Sequence, residues 1–164
     1  MEFYQNLPRN RKEFALFMAV ISLISVNIIA PLITSFEIGF HWQTWANVLP
    51  IIPFIWLAVI VFVLATYQPA AWLTSKIVAE KDSFNVHILT NILCTVFMMS
   101  IGLTVVGTWI GQQHISWEPL QHFFYRWPRN FALAFAVELL IAQPIARWVM
   151  RLLHQRQERQ KIAE

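Results

Sequence analysis

The sequence has few charged residues, and those it has are unevenly distributed. Of 164 residues, 13% are charged and 57% are hydrophobic, whereas an ordinary soluble domain carries about 25% charged residues. Residues 14–36, 38–75 and 83–117 contain no charged side chain at all. A soluble fold needs polar side chains over its whole surface, and these stretches cannot supply them. The shortage of charge therefore excludes a soluble globular protein.

Glycine and cysteine are also scarce. Four glycines exclude a collagen-like repeat and leave no glycine-rich phosphate loop. The single cysteine, Cys94, excludes a disulfide scaffold. The high apolar content excludes a disordered chain. What remains is an integral membrane protein, for which the mean hydropathy of +0.52 is typical.

The apolar residues fall into four runs that are long enough to cross a bilayer. A helix needs about 20 apolar residues to cross a hydrocarbon core of about 30 Å, and backbone groups in lipid must pair within the helix. We therefore predict an all-α integral membrane protein with four transmembrane helices. Pro53 and Pro128 are predicted as first-turn residues of their helices, where a missing N–H costs nothing. The predicted spans are Phe14–Ser35, Pro53–Ser75, Val86–Ile110 and Pro128–Met150.

Lysine and arginine lie almost entirely on one side of these spans. The N-terminal segment, the middle loop and the C-terminal end contain ten, against two in the other loops. Because cytoplasmic loops carry the excess of positive charge, we predict a multi-pass protein of a bacterial inner membrane with both termini in the cytoplasm. The same bias explains the basic pI, so we expect a lipid bilayer and not nucleic acid as the partner.

The two halves of the chain align when the sequence is shifted by 75 residues. The matches fall at span centres, outer aromatic anchors, helix starts and helix prolines, and predict a duplicated two-helix unit. We expect parallel tandem repeats at 14–78 and 83–154, between a cytoplasmic N-terminal segment, 1–13, and a basic tail, 155–164. The matched pairs include Ser25 and Ser100, Trp42 and Trp117, Pro53 and Pro128, and Pro69 and Pro144. Pro69 and Pro144 should bend their helices, either as features of shape or as hinges.

Glu138 is the ionisable residue deepest in a predicted span. A charged carboxylate near the midplane costs several kcal/mol, so we expect it to be protonated, paired or facing water. Matching depths in the other helices predicts a polar centre of Glu138, Asn27, Ser25 and Ser100. Two interpretations remain open: a protonated glutamate that holds helices together by hydrogen bonds, or a proton-coupled or cation-binding site.

Other polar residues are expected to pack helices or anchor loops. His87, Asn91 and Thr95 form a stripe near one end of the third helix, where packing explains them best. His114 and His122 lie four residues to either side of Glu118, but no cysteine or aspartate supports a metal site there. We therefore predict neither a metal nor a cofactor.

The last span resembles a family of uncharacterised bacterial two-helix membrane domains. The likeness rests on the segment from Trp127 to Phe131 and on its continuation from Ala142 to Arg147. Residues 11–78 and 85–154 resemble two tandem copies, although the first departs from the pattern at Asn27 and Pro31. The family implies a membrane location and no known activity. The chain is more weakly similar to small four-helix proton-coupled drug exporters, whose carboxylate lies in the first helix, where only Glu13 is found here.

Two functions are consistent with this sequence. The first is a small transporter or exporter with Glu138 as a proton-linked site, for which a homodimer or a membrane partner would have to complete the substrate pathway. The second is a non-transporting accessory or scaffold protein whose polar residues only pack helices. An enzyme is not expected, because no second catalytic group accompanies Glu138. Water access to Glu138 favours the transporter, and a dry, hydrogen-bonded Glu138 in a tightly packed chain favours the scaffold.

Overall fold

The computed structural model describes residues 7–79 and 81–163, with the side chains at 37–38 and 160–163 left out. The predicted terminal segments at 1–13 and 155–164 therefore lie partly outside the described residues. No β-strand occurs among the residues described. The helices are α1 (Arg11–Ile38), α2 (Trp42–Val48), α3 (Ile52–Ile77), α4 (Phe84–Gln112), α5 (Glu118–Gln121), α6 (Phe123–Val137) and α7 (Gln143–Ala163), with a π-helical turn, Glu138–Ala142, between the last two.

Among the described residues, four helices are long and apolar enough to cross a membrane. They are α1, α3, α4 and the continuous helix formed by α6, the π turn and α7. The prediction of an all-helical chain with four candidate spans is confirmed. The tandem-repeat arrangement and the orientation stay predictions. We call the end of the bundle where α1 begins and α7 finishes the terminal end, and the end with α2 and α5 the loop end.

The two prolines predicted to open helices differ in position. Pro53 is in the first turn of α3, as predicted. The prediction for Pro128 is wrong, because α6 begins at Phe123 and Pro128 lies inside it. The extra turn forms because His122 accepts the backbone N–H groups of Tyr125 and Arg126. Residues 123–127, most of which are aromatic, thus belong to α6 and extend it beyond the apolar run that was predicted to begin at Pro128.

Each long helix packs against two others. α1 lies against α3 on one side and against α6, the π turn and α7 on the other, while α4 lies between α3 and α6. One core cluster joins α1 to the fourth span through Phe17, Ile21, Ala142, Ala146 and Met150. Ala142 and Ala146 are fully buried, and such small side chains let two helices approach closely. This contact sets the π turn directly against α1.

Large apolar side chains cover the outside of the bundle. On α3, Phe54, Leu57 and Leu64 each expose more than 60% of their surface. At the loop end, Trp42 and Trp117 are still more exposed. Apolar faces of this kind suit contact with lipid, and tryptophans near the helix ends suit the membrane–water boundary.

Candidate functional site

Glu138 is the first residue of the π turn. Its carbonyl oxygen accepts the N–H of Gln143, five residues further on, instead of a residue four further on. Pro144 favours this widening, because it lacks an N–H and its ring would clash with the carbonyl of Leu140 in a regular α-helix. π turns of this kind often mark functional sites. Around Pro69, by contrast, α3 continues as an α-helix. The hinge role of both prolines stays a prediction.

The carboxylate of Glu138 bridges the two halves of the chain. Ser25 on α1 donates a hydrogen bond to its Oε2 atom over 2.6 Å. The side chain of Gln143 is a second hydrogen-bond partner. Ser25 is buried and Glu138 is half-buried. Depth matching in the sequence had placed Ser25 at the level of Glu138, and the structure brings these two residues together.

The other two members of the predicted polar centre lie elsewhere. Asn27 donates to the carbonyl of Leu23 on its own helix, over 2.7 Å. It lies two residues after Ser25, which is about 200° around the helix, so it occupies a different face. Ser100 accepts a hydrogen bond from Trp127 Nε1 over 2.9 Å and donates to the carbonyl of Phe97. Equal depth was therefore not enough to predict which side chains meet.

Gln143 extends the site from Glu138 toward the terminal end. Its Oε1 atom accepts a hydrogen bond from Nη2 of Arg147 over 3.5 Å. Arg147 is only 6% exposed, although the sequence placed it with the cytoplasmic cations. Hydrogen bonds thus connect four side chains in series: Ser25, Glu138, Gln143 and Arg147. The spacing of four residues between Gln143 and Arg147 is the sequence signal that could have joined these two. The step of five residues from Glu138 to Gln143 gives no such signal, because it brings the side chains together only at the π turn.

A cavity of about 490 Å³ lies at the terminal end of the bundle, between α1, α3, α4 and α7. Gln143 and Arg147 line one side of it, so Gln143 connects the cavity to the carboxylate of Glu138. His87 and Asn91, two members of the polar stripe on the third helix, line another side. Asn91 also donates to Oγ1 of Thr74 over 3.4 Å, which links α4 to α3. Part of the stripe thus faces a cavity as well as packing helices.

A second buried carboxylate, Glu13, lies at the terminal end. Its Oε2 atom is 3.0 Å from Nε2 of His154 and accepts the backbone N–H of Arg9 over 2.7 Å. Gln157 donates to the other oxygen over 3.4 Å. Glu13 and His154 are each 5% exposed. These contacts tie the start of α1 to the end of α7. The sequence indicates the pairing of Glu13 with His154 only weakly, because it shows no more than that both residues lie at the same end of their spans.

At the loop end, Glu118 pairs with Arg126. One guanidinium nitrogen forms an ion pair with Oε1, and the other lies 3.3 Å from Oε2. Gln112 donates to the same carboxylate, and Nδ1 of His122 lies 3.3 Å from the backbone carbonyl of Glu118. These contacts are hydrogen bonds and an ion pair, as expected for residues at a membrane boundary.

Comparison with known proteins identifies one region of the chain. Residues 85–154 match a family described as a domain of unknown function (DUF2798). The matched region covers 70 of the 164 residues. No curated protein matches the chain, and no solved structure does. The uncharacterised domain predicted for the second half is thus confirmed, while the first tandem copy and the likeness to drug exporters stay predictions.

The matched region, residues 85–154, supplies most of the polar groups described above, but not all of them. Glu138, Gln143 and Arg147 lie within its bounds, as does His154. Ser25, which binds Glu138, comes from α1, outside the matched region. Glu13, which contacts His154, also lies outside it. Glu138 and His154 therefore both contact the half of the chain that precedes the matched region.

Proposed function

We propose that the protein is a small membrane transporter in which Glu138 takes up and releases a proton. One observation carries this proposal. A carboxylate in the middle of a candidate span joins the two halves through Ser25 and reaches a cavity at the terminal end through Gln143. A carboxylate so placed connects the centre of the bundle to one side of the membrane.

The partners of Glu138 suit a group that changes its protonation state. A hydroxyl and an amide can each donate or accept a hydrogen bond, so Ser25 and Gln143 can satisfy either the charged or the neutral carboxyl. The nearest cations on the same continuous helix, Arg129 and Arg147, are each nine residues away, or about 13 Å along the axis. A charge in this position is costly in a bilayer, and protonation removes that cost.

The two halves support the duplication as part of the same proposal. Each contains a long helix, a short helix and a second long helix in that order. In each, a tryptophan of the second long helix donates to a serine of the first: Trp56 to Ser22 over 3.0 Å, and Trp127 to Ser100 over 2.9 Å. The two pairs lie about one helical turn away from the positions that the 75-residue shift aligns. We propose parallel tandem repeats in a bacterial inner membrane, with the terminal end in the cytoplasm. A second copy or another membrane protein would complete the substrate pathway, and no catalytic step is assigned.

The direct bond from Ser25 to Glu138 also favours a second function. It ties α1 to the fourth span at a buried serine, as a structural crosslink would. Under this alternative, the protein is a membrane scaffold or accessory protein, and a permanently protonated Glu138 only holds helices together.

Access to the site from both sides of the membrane separates the two functions. Cys94 is the only cysteine, so the Cys94→Ala variant gives a background without thiols. In this background, Ser25→Cys leaves Glu138 intact and places a thiol beside it. A small membrane-impermeant thiol reagent is added to right-side-out vesicles and, separately, to inside-out vesicles. A transporter predicts labelling from both sides, because the site must open to each side in turn.

Ser100→Cys in the same background is the matched control. Ser25 and Ser100 are equivalent in the proposed repeat and are 7% and 6% exposed, but Ser100 contacts Trp127 instead of a carboxylate. We expect labelling at position 100 to be slower than at position 25 from either side. Labelling of position 25 from neither side, or from the terminal end alone, would reject transport and favour the scaffold.

A further inference from the structure

α3 presents most of its surface to the outside of the bundle. It is the least buried of the candidate spans that the structure describes, with 11% of its most apolar window buried against 28% or more in the other three. Its outward side chains include Phe54, Leu57, Val61 and Leu64, each more than half exposed, and Gln68, which is also exposed. These five residues follow one another at steps of three and four, so they share one face of the helix. We call this face the α3 stripe, and its one polar member is Gln68.

Gln68 lies deep in the candidate span. It is nine residues from Ile77, at the terminal end of α3, and sixteen from Ile52, at the other end. At 1.5 Å per residue, it is about 5 Å from the middle of the helix. A hydrocarbon core extends about 15 Å to either side of its midplane. When α3 crosses a bilayer, the side chain of Gln68 therefore faces lipid and not water.

The amide of Gln68 has no partner within the part of the chain that the structure describes. Its side chain forms no hydrogen bond with any described residue. Gln143, which the 75-residue shift aligns with Gln68, is by contrast bonded to Glu138 and Arg147. An amide carries two donors and an acceptor, and such groups are costly when they are left unpaired in hydrocarbon. A partner in a neighbouring molecule would remove this cost.

Pro69 adds a backbone acceptor beside the amide. It has no N–H to donate to the carbonyl of Ala65, as the fifth residue of an α-helical turn normally does. Ala65 is exposed and lies about one turn from Gln68 on the same side of the helix. In membrane proteins, neighbouring helices can supply the donor that a proline removes. The outward side of α3 thus offers polar groups of both kinds at one depth.

A second copy of the chain supplies the matching groups by symmetry. Two copies inserted in the same orientation are related by a twofold axis along the membrane normal, so Gln68 has the same depth in both. Because an amide both donates and accepts, two such side chains can pair reciprocally. Steps of three and four residues also form the seam of a parallel coiled coil, in which one polar residue fixes the register. A different membrane protein would need a polar group of its own at this depth.

We propose that the α3 stripe is the interface of a parallel homodimer, in which the amides of the two Gln68 residues bond to each other across the twofold axis. The inference rests on α3 crossing the membrane. It holds for a transporter and for a scaffold alike, because no step at Glu138 enters it.

Dimerisation is measured by energy transfer between full-length copies with a donor or an acceptor fluorescent protein at the C-terminus, diluted stepwise in phosphatidylcholine vesicles. Gln68→Leu keeps the size and removes the amide, so association should weaken about tenfold. Tyr67→Phe is the matched control. It removes one hydroxyl from the neighbouring residue, which is 56% exposed but lies about 100° around the helix, and should change association less than about twofold. A monomer at every dilution, or equal association of Gln68→Leu and the parent, would overturn the proposal.

Disulfide crosslinking locates the contact and separates a second copy from another protein. In the Cys94→Ala background, Val61→Cys places a thiol in the α3 stripe one heptad before Gln68. Oxidation of native membranes should give a band of twice the chain mass, because the two thiols face each other across the axis. Leu23→Cys, on α1, is the control, since Leu23 and Val61 are 52% and 58% exposed. Equal crosslinking at both positions indicates random collision, and crosslinking only to other proteins indicates a different partner. Either result would reject the homodimer, and neither depends on the labelling of Ser25→Cys that tests transport.

Discussion

The two glutamates Glu13 and Glu138 have very different surroundings. Glu13, at the terminal end, has a histidine, a backbone N–H and a glutamine around its two oxygens. Glu138, in the middle of the fourth span, has a serine and a glutamine. The first set includes a group that can carry a positive charge, and the second set is entirely neutral. Glu13 is therefore suited to a fixed contact and Glu138 to a change of state.

The difference between the partners of Glu13 and Glu138 also shows which contacts can join helices at different depths of the bundle. Near the end of a span, an ionic contact can form where water is close and the cost of burying charge is modest. In the middle, only neutral partners keep a carboxyl group satisfied in both protonation states. We expect the stability of the bundle to depend more on Glu13 and its activity more on Glu138.

The largest expected effect comes from removing the carboxylate at the terminal end. Glu13→Ala should lower the ratio of folded to unfolded protein about a hundredfold, because His154 and the N–H of Arg9 lose their partner in a buried place. Glu138→Ala should lower it only about fivefold, since two neutral hydrogen bonds are lost. The measurement is reversible unfolding in mixed micelles with increasing denaturing detergent, followed by circular dichroism. If Glu138→Ala lowers the stability more than Glu13→Ala does, the expected difference between the two glutamates is contradicted.

An intermediate effect is expected at the π turn. Pro144→Ala restores an N–H that can bond to the carbonyl of Leu140, so the turn should return to a regular α-helix and gain about 1 kcal/mol of stability. Glu138 would then rotate away from Ser25, and labelling of Ser25→Cys should change. Pro69→Ala is the control, because α3 has no π turn there. If both variants label like the parent, the π turn does not position the carboxylate.

The smallest effect is expected for Gln157→Ala. Its bond to Glu13 is long, at 3.4 Å, and such a contact contributes little. Stability should stay within about 0.5 kcal/mol of the parent, while His154→Ala should cost clearly more in the same unfolding measurement. If Gln157→Ala and His154→Ala lower the stability equally, His154 is not the main partner of Glu13.

The four candidate spans could be predicted from the sequence because lipid demands long apolar helices and leaves few alternatives. The pairing of Ser25 with Glu138 could also be expected, since both residues lie near the middle of their spans. Asn27 and Ser100 show where depth alone is insufficient. Asn27 does not contact Glu138 because it lies on a different face of its helix. Ser100 does not contact Glu138 because it binds a competing donor, Trp127.

Two features had no sufficient sequence signal. A proline predicts a bend, but Pro69 and Pro144 have the same preceding glutamine and only one lies beside a π turn. The outcome depends on how closely the neighbouring helix packs, here α1 against Ala142 and Ala146. The burial of Arg147 likewise depends on the space left between helices. Such properties arise from packing, which a single sequence does not display.

The length of the fourth helix has a mechanical consequence. From Gln143 to His154 the helix rises about 17 Å, and to Ala163 about 30 Å. A change of about 10° at the π turn would therefore move the imidazole of His154 by about 3 Å and the far end of the helix by about 5 Å. The first displacement is enough to separate His154 from Glu13. A bend at Glu138 would thus be transmitted along the fourth helix to the contact between His154 and Glu13 at the terminal end.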